Sequence, residues 1–113
     1  MHRLLALLVA FASCAAQAEV RVTDDAGHAV VLAAPAGRIV SLGPHLTELA
    51  YAAGGGQAMV GAIRFSDFPE AAKTLPVVGD AHVIDFERIA QLKPDLVLVW
   101  GSGLNERHKA RLR

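Results

Sequence analysis

Residues 38–56, RIVSLGPHLTELAYAAGGG, constrain this chain more than any other stretch, because they read as one complete strand, loop and helix. Residues 38–42 are a short apolar run with the β-branched Ile39 and Val40, the pattern of a buried strand. The run stops at Gly43-Pro44. Pro44 lacks an N–H and fits the first turn of a helix, with Thr47 and Glu48 close to the positive end of its dipole. Leu46, Leu49, Ala50 and Ala53 recur at helical spacing, which predicts one apolar face, and Gly54-Gly55-Gly56 supplies left-handed conformations to end the helix.

The remaining chain alternates in the same way. Residues 59–63 are a second apolar run. Residues 64–75 are polar and interrupted by Pro69, with one helical turn predicted at 70–73, and a stretch this long reads as a functional loop. Residues 76–78 are a very short strand candidate and 79–83 a loop. Asp85 suits a helix cap, Phe86, Ile89 and Ala90 make an apolar stripe, and Pro94 stops the helix. Residues 95–100, DLVLVW, are the clearest strand, continuously apolar as expected where both faces are covered. Gly101-Ser102-Gly103 is a turn, and helix is expected from Leu104, with Glu106 and Lys109 on its exposed side. Strands alternating with helices predict an α/β fold, a parallel sheet flanked by helices with right-handed crossovers. A β-hairpin over 19–32, turning at Asp24-Asp25-Ala26-Gly27, precedes it.

Residues 1–18 carry Arg3, then an apolar run ending in Ala16-Gln17-Ala18, the signature of a secretory signal peptide and too short for a membrane span. Cys14 offers a second meaning, lipoprotein anchoring, ranked below simple secretion because Phe11 is unusual at the start of a lipoprotein box. The whole chain has 11 Lys and Arg against 11 Asp and Glu, and losing Arg3 tips the balance slightly acidic, so no basic patch recommends nucleic acid. Cys14 is the only cysteine, and its removal would leave neither a disulfide framework nor a thiol nucleophile. The domain division is then 1–18 signal peptide, 19–37 hairpin and connector, and 38–113 an incomplete α/β lobe, since the last residues read as an unfinished helix.

In an open parallel sheet, ligands bind beyond the carboxyl ends of the strands, which singles out loops 43–45, 64–67, 79–82 and 101–103. They carry Pro44, His45, Arg64, Phe65, Asp67, Asp80 and His82, with Trp100 at the end of the last strand. This mixture of aromatic and polar groups suits a sizeable small molecule. Each residue also has a plainer reading: His45 as a local hydrogen-bonding group, Trp100 as core, Asp67 and Asp80 as turn formers. His45, Asp67, Asp80 and His82 have metal-ligand chemistry but no tight His pair at i and i+4. Ser41 and Ser102 sit in no nucleophile motif.

The series TDDAGHAVVL, RIVSLGPHLTELAYAAG, VGAIRFSDFPEAA, LPVVGD, DFERIAQLKPDLVLVW and GSGLNERHKARL resembles, in order and spacing, the class III periplasmic binding proteins of iron-siderophore, haem and vitamin B12 ABC transporters. The SDFP loop, the FERI helix and WGSGLNER look most like the cobalamin branch. The resemblance implies two α/β lobes joined by a long helix, of which this chain holds the first, with ligand clamped between them. It implies that Phe65 packs on the corrin and that Pro44 and His45 line the site. It also implies that Glu87, early in the FERI helix, docks the lobe onto basic residues of an inner-membrane permease. One departure is Ala81, which stands where the cobalamin branch can carry a tryptophan.

The expectation is therefore a periplasmic, monomeric, non-enzymatic protein that captures a macrocycle, cobalamin first, and delivers it to an ABC transporter permease, with no cofactor of its own. Haem is the main rival ligand, through His45 or His82; a siderophore has only Arg64 to pair with. The alternative of another class is a metal-dependent enzyme domain built on His45, Asp67, Asp80 and His82.

Overall fold

The computed structural model describes residues 18–113, so all of the predicted leader except Ala18, including Cys14, lies outside the described residues. Strands β1 (Val20–Thr23) and β2 (Ala29–Leu32) form an antiparallel hairpin, with Val20 opposite Leu32 and Thr23 opposite Ala29. Its turn follows from Asp24, whose Oδ1 accepts the amides of Ala26 at 3.0 Å and His28 at 2.8 Å, and from Gly27, which takes a φ of +83°.

The second sheet has three parallel strands. β3 (Ile39–Ser41) lies between β4 (Met59–Ala62) and β5 (Leu96–Leu98), pairing Val40 with Gly61 on one side and Val97 on the other. All of β3 is buried, as its β-branched composition predicts. The strand expected at 76–78 is reduced to a single bridge from Val77 to Ala62, because the chain turns away at Gly79. β5 is shorter than expected: Val99 and Trp100 lie beyond it and are exposed. It is also only half-buried, since one side opens on a groove between the hairpin, Phe86 and Leu112. The core gathers Val40, Val78 and Ile89, with Leu42, Leu92 and Val97 packed around them.

Helix α1 (Pro44–Ala52) starts where Pro44 predicts, but its buried residue is Thr47, and Leu49 is 61% exposed. At about 100° per residue, Leu49 points nearly opposite Thr47, so the face expected on Leu46, Leu49, Ala50 and Ala53 is rotated. Glu48 falls beyond the first turn, which holds no acidic residue. Of the three glycines that follow, Gly54 alone has a positive φ, and Gly56 opens a short 3-10 turn. Residues Glu70–Thr74 form the other 3-10 turn, where a helical turn is expected.

Helix α2 (Phe86–Leu92) is capped by Asp85, which accepts the Arg88 amide at 3.0 Å. It ends with Lys93 in the left-handed region, just before Pro94. Ile89 is its buried residue, whereas Ala90 is exposed. Helix α3 (Glu106–Arg111) begins after an Asn105 cap, two residues later than expected. Lys109 is not on the exposed side. Its Nζ folds back to donate to the Gly101 carbonyl and to Glu106 Oε1, each at 2.7 Å.

Candidate functional site

The winding of the sheet changes direction at β3: the chain passes through α1 to β4 on one side and through α2 to β5 on the other. The loops that leave the carboxyl ends of the three strands gather at this edge of the sheet, and a crevice opens among them. Its volume is ≈ 490 Å³, in the range of a small-molecule site. Pro44, His45, Arg64, Phe65, Asp80, His82 and Trp100 all line it, over a floor that includes Leu42 and Ile63.

Trp100 and His45 meet at the crevice wall with ring centroids 4.7 Å apart and planes at 87°. This edge-on contact is the favoured arrangement of two π systems and braces the first loop against the last. Trp100 is therefore wall rather than core, 50% exposed. Phe65 stands on the opposite loop, 74% exposed, with a φ of +68°. A phenylalanine in this region costs roughly 1–2 kcal/mol and stays there only where its surroundings hold it.

Asp80 closes a turn, its Oδ1 accepting the amides of His82 at 2.8 Å and Val83 at 2.9 Å. These two bonds hold its carboxyl below the usual aspartate range, and the nearby charges of His82 and Arg64 add to the effect. Arg64 is exposed on the cleft wall, and its amide donates to the Gly79 carbonyl at 2.8 Å, tying the second loop to the third.

Asp67 is not brought to the cleft. It lines a small cavity of ≈ 40 Å³ beneath the loop with Ser66 and Ala72. Among the described residues no group of three or more His, Cys, Asp or Glu gathers at metal-binding distance, so His45, Asp67, Asp80 and His82 do not come together as one cluster. Glu87 is exposed in the first turn of α2 and borders a separate surface hollow with Arg88 and Gln91.

Sequence reasoning misses the buried hydroxyls beneath the cleft. Thr47 Oγ1, fully buried, lies 3.0 Å from Ser66 Oγ and 3.3 Å from the Gly43 carbonyl, to which Ser41 Oγ also donates at 2.9 Å. The signal was Thr47 itself, which shares the inward register of Gly43 and Ala50.

Residues 39–112 match the family described as periplasmic binding protein. A vitamin B12-binding protein of Vibrio vulnificus (strain YJ016) is 51% identical over 71 residues, which cover 63% of this chain and 26% of that protein. The crystal structure of periplasmic vitamin B12 binding protein BtuF of Vibrio cholerae aligns with a TM-score of 0.67 at 47% identity, covering 70% of this chain and 31% of that one. Periplasmic heme-binding protein RhuT from Roseiflexus sp. RS-1 aligns at 0.61 and 34% identity, over 67% and 29%. The chain thus spans less than a third of the length of these relatives.

Proposed function

The chain belongs to the periplasmic binding protein family, and from that premise we propose that it forms the ligand-facing lobe of a periplasmic protein that captures cobalamin and delivers it to an ABC transporter permease. The observation that carries this reading is the crevice wall itself. Phe65 and Trp100 present exposed aromatic surface on opposite sides of a concavity whose floor is apolar. A flat, largely apolar macrocycle buries area against such rings, while Arg64, His45 and His82 offer polar anchors at the rim. Capture of this kind makes and breaks no covalent bond. The vitamin B12-binding relatives support cobalamin over other macrocycles, and their periplasmic setting supports export of this chain.

Haem is the second reading. It is favoured by the two imidazoles, His45 and His82, that border the cleft and by the haem-binding relative.

Calorimetric titration of the chain with cyanocobalamin and with haemin tests both. One lobe supplies one wall, so about half the burial that drives tight binding is expected, and the expected result is weak, saturable cyanocobalamin binding with weaker haemin binding. Preference for haemin, accompanied by an imidazole-ligated iron spectrum, would replace cobalamin with haem. No binding of either would remove the capture reading.

A further inference from the structure

Resting on the cobalamin reading, we propose that Thr47 and Ser66 are positioning residues that hold Phe65 as a pre-formed aromatic contact for the ligand. Thr47 is fully buried and Ser66 is 6% exposed, yet each presents a hydroxyl to the other at 3.0 Å. The helix does not need this hydroxyl, since the Thr47 amide already donates to the Gly43 carbonyl at 3.0 Å, and a valine would fill the same volume. What the pair does is join the first turns of α1 to the loop after β4, two segments that both line the cleft.

Phe65 is the residue this link immobilises. On one side of it the Arg64 amide is bonded to the Gly79 carbonyl at 2.8 Å; on the other, the Ser66 amide reaches the Ile63 carbonyl at 3.3 Å and its side chain is pinned to Thr47. Between these anchors Phe65 keeps a left-handed backbone and an exposed ring. A loop free on the Ser66 side would relax to negative φ and fold the ring against the protein, because both changes lower its free energy. Fixing the ring in the open position removes an ordering cost from binding.

The test compares Thr47→Val, which keeps shape and loses the hydroxyl, with Thr47→Ser, which keeps it, in the full chain. Amide hydrogen exchange at Arg64 and Ser66 is expected to quicken about tenfold in Thr47→Val, with the buried Val40 and Val78 amides unchanged and Thr47→Ser like the parent. If Thr47→Val fails to fold, Ser66→Ala cuts the same bond from the loop side. Affinity for cyanocobalamin is expected to fall about fivefold in Thr47→Val and to fall no further when Phe65→Ala is already present. Unchanged exchange at Arg64 and Ser66 would overturn the proposal, as would an equal affinity loss in the Phe65→Ala background. Failure of the parent chain to take up cyanocobalamin would overturn the cobalamin reading alone, with the exchange result still deciding whether the hydroxyls hold Phe65.

Discussion

Asp95 and Arg38 hold each other twice: the Asp95 amide donates to the Arg38 carbonyl at 2.9 Å, and Asp95 Oδ1 accepts the Arg38 amide at 2.9 Å. Asp95 Oδ2 takes the Gly37 amide at 2.8 Å, and the Arg38 guanidinium closes on the Leu92 carbonyl with bonds of 2.8 and 2.7 Å. Entry to β3, exit from α2 and entry to β5 are thus clasped at one point, at the end of the sheet away from the cleft.

The Gly37 and Arg38 amide bonds lower the Asp95 carboxyl below its ordinary value. A lowered folded value means that the carboxylate stabilises the fold above the ordinary aspartate range, and that this contribution is lost as pH falls through the folded value. Asp95→Ala is expected to lower stability on the order of 1 kcal/mol at pH 7, a modest effect because the group is solvent-exposed. Urea unfolding at pH 7 and again below pH 3 checks it: the difference between parent and variant should shrink in acid.

Phe65→Ala is expected to weaken cyanocobalamin binding by about 1–3 kcal/mol through lost apolar contact, without lowering thermal stability, because an exposed ring contributes little to the core. Calorimetry and a melting curve on the same sample read both. Equal affinity in the folded variant would take Phe65 out of the site.

Trp100 is the only tryptophan, so intrinsic emission reports on the cleft wall directly. Cyanocobalamin is expected to quench it saturably, with the same dissociation constant that calorimetry gives. Trp100→Phe, which keeps an aromatic wall, should lose less than about 1 kcal/mol of affinity, and Trp100→Ala about 1–3 kcal/mol. Quenching without saturation would place the ligand elsewhere.

Glu87 is exposed in the first turn of a helix capped by Asp85, a place the helix dipole favours for a carboxylate. Facing an arginine of a permease, it can form a charge-assisted bidentate contact. In a full-length relative carrying this lobe, Glu87→Ala is expected to leave cobalamin affinity intact and to reduce transport in permease-reconstituted vesicles. Unaltered transport by Glu87→Ala and Glu87→Arg would end the docking role.

The fold was legible in the sequence wherever a local signal and the tertiary demand coincide. Asp24 and Gly27 write the hairpin, Pro44 and Asp85 write two helix starts, and the apolar runs write the parallel strands. The orientation of α1 was not legible, because periodicity counts Leu49 as an inward residue while the helix seats itself on a threonine whose hydroxyl meets that of Ser66 and the Gly43 carbonyl. The cleft was legible as a set of loops, since sheet topology alone gathers their residues. The place of Asp67 was not, because a one-residue difference along a tight loop decides which side of the chain a carboxylate takes.

The seat of α2 on the sheet has a mechanical consequence. A methyl group at Gly61 would lie 2.8 Å from Leu92 Cδ1, 3.2 Å from Val78 Cγ1 and 3.4 Å from Val40 Cγ2, so Leu92 of α2 packs directly on the Gly61 backbone. Ile89 packs beside it on Val40 and Val78, and close-packed interiors transmit displacement with little give. Force applied to α2 through Glu87 is therefore delivered to β4, and β4 runs straight into Arg64 and Phe65. The outer helix and the wall of the cleft are two ends of one stiff lever.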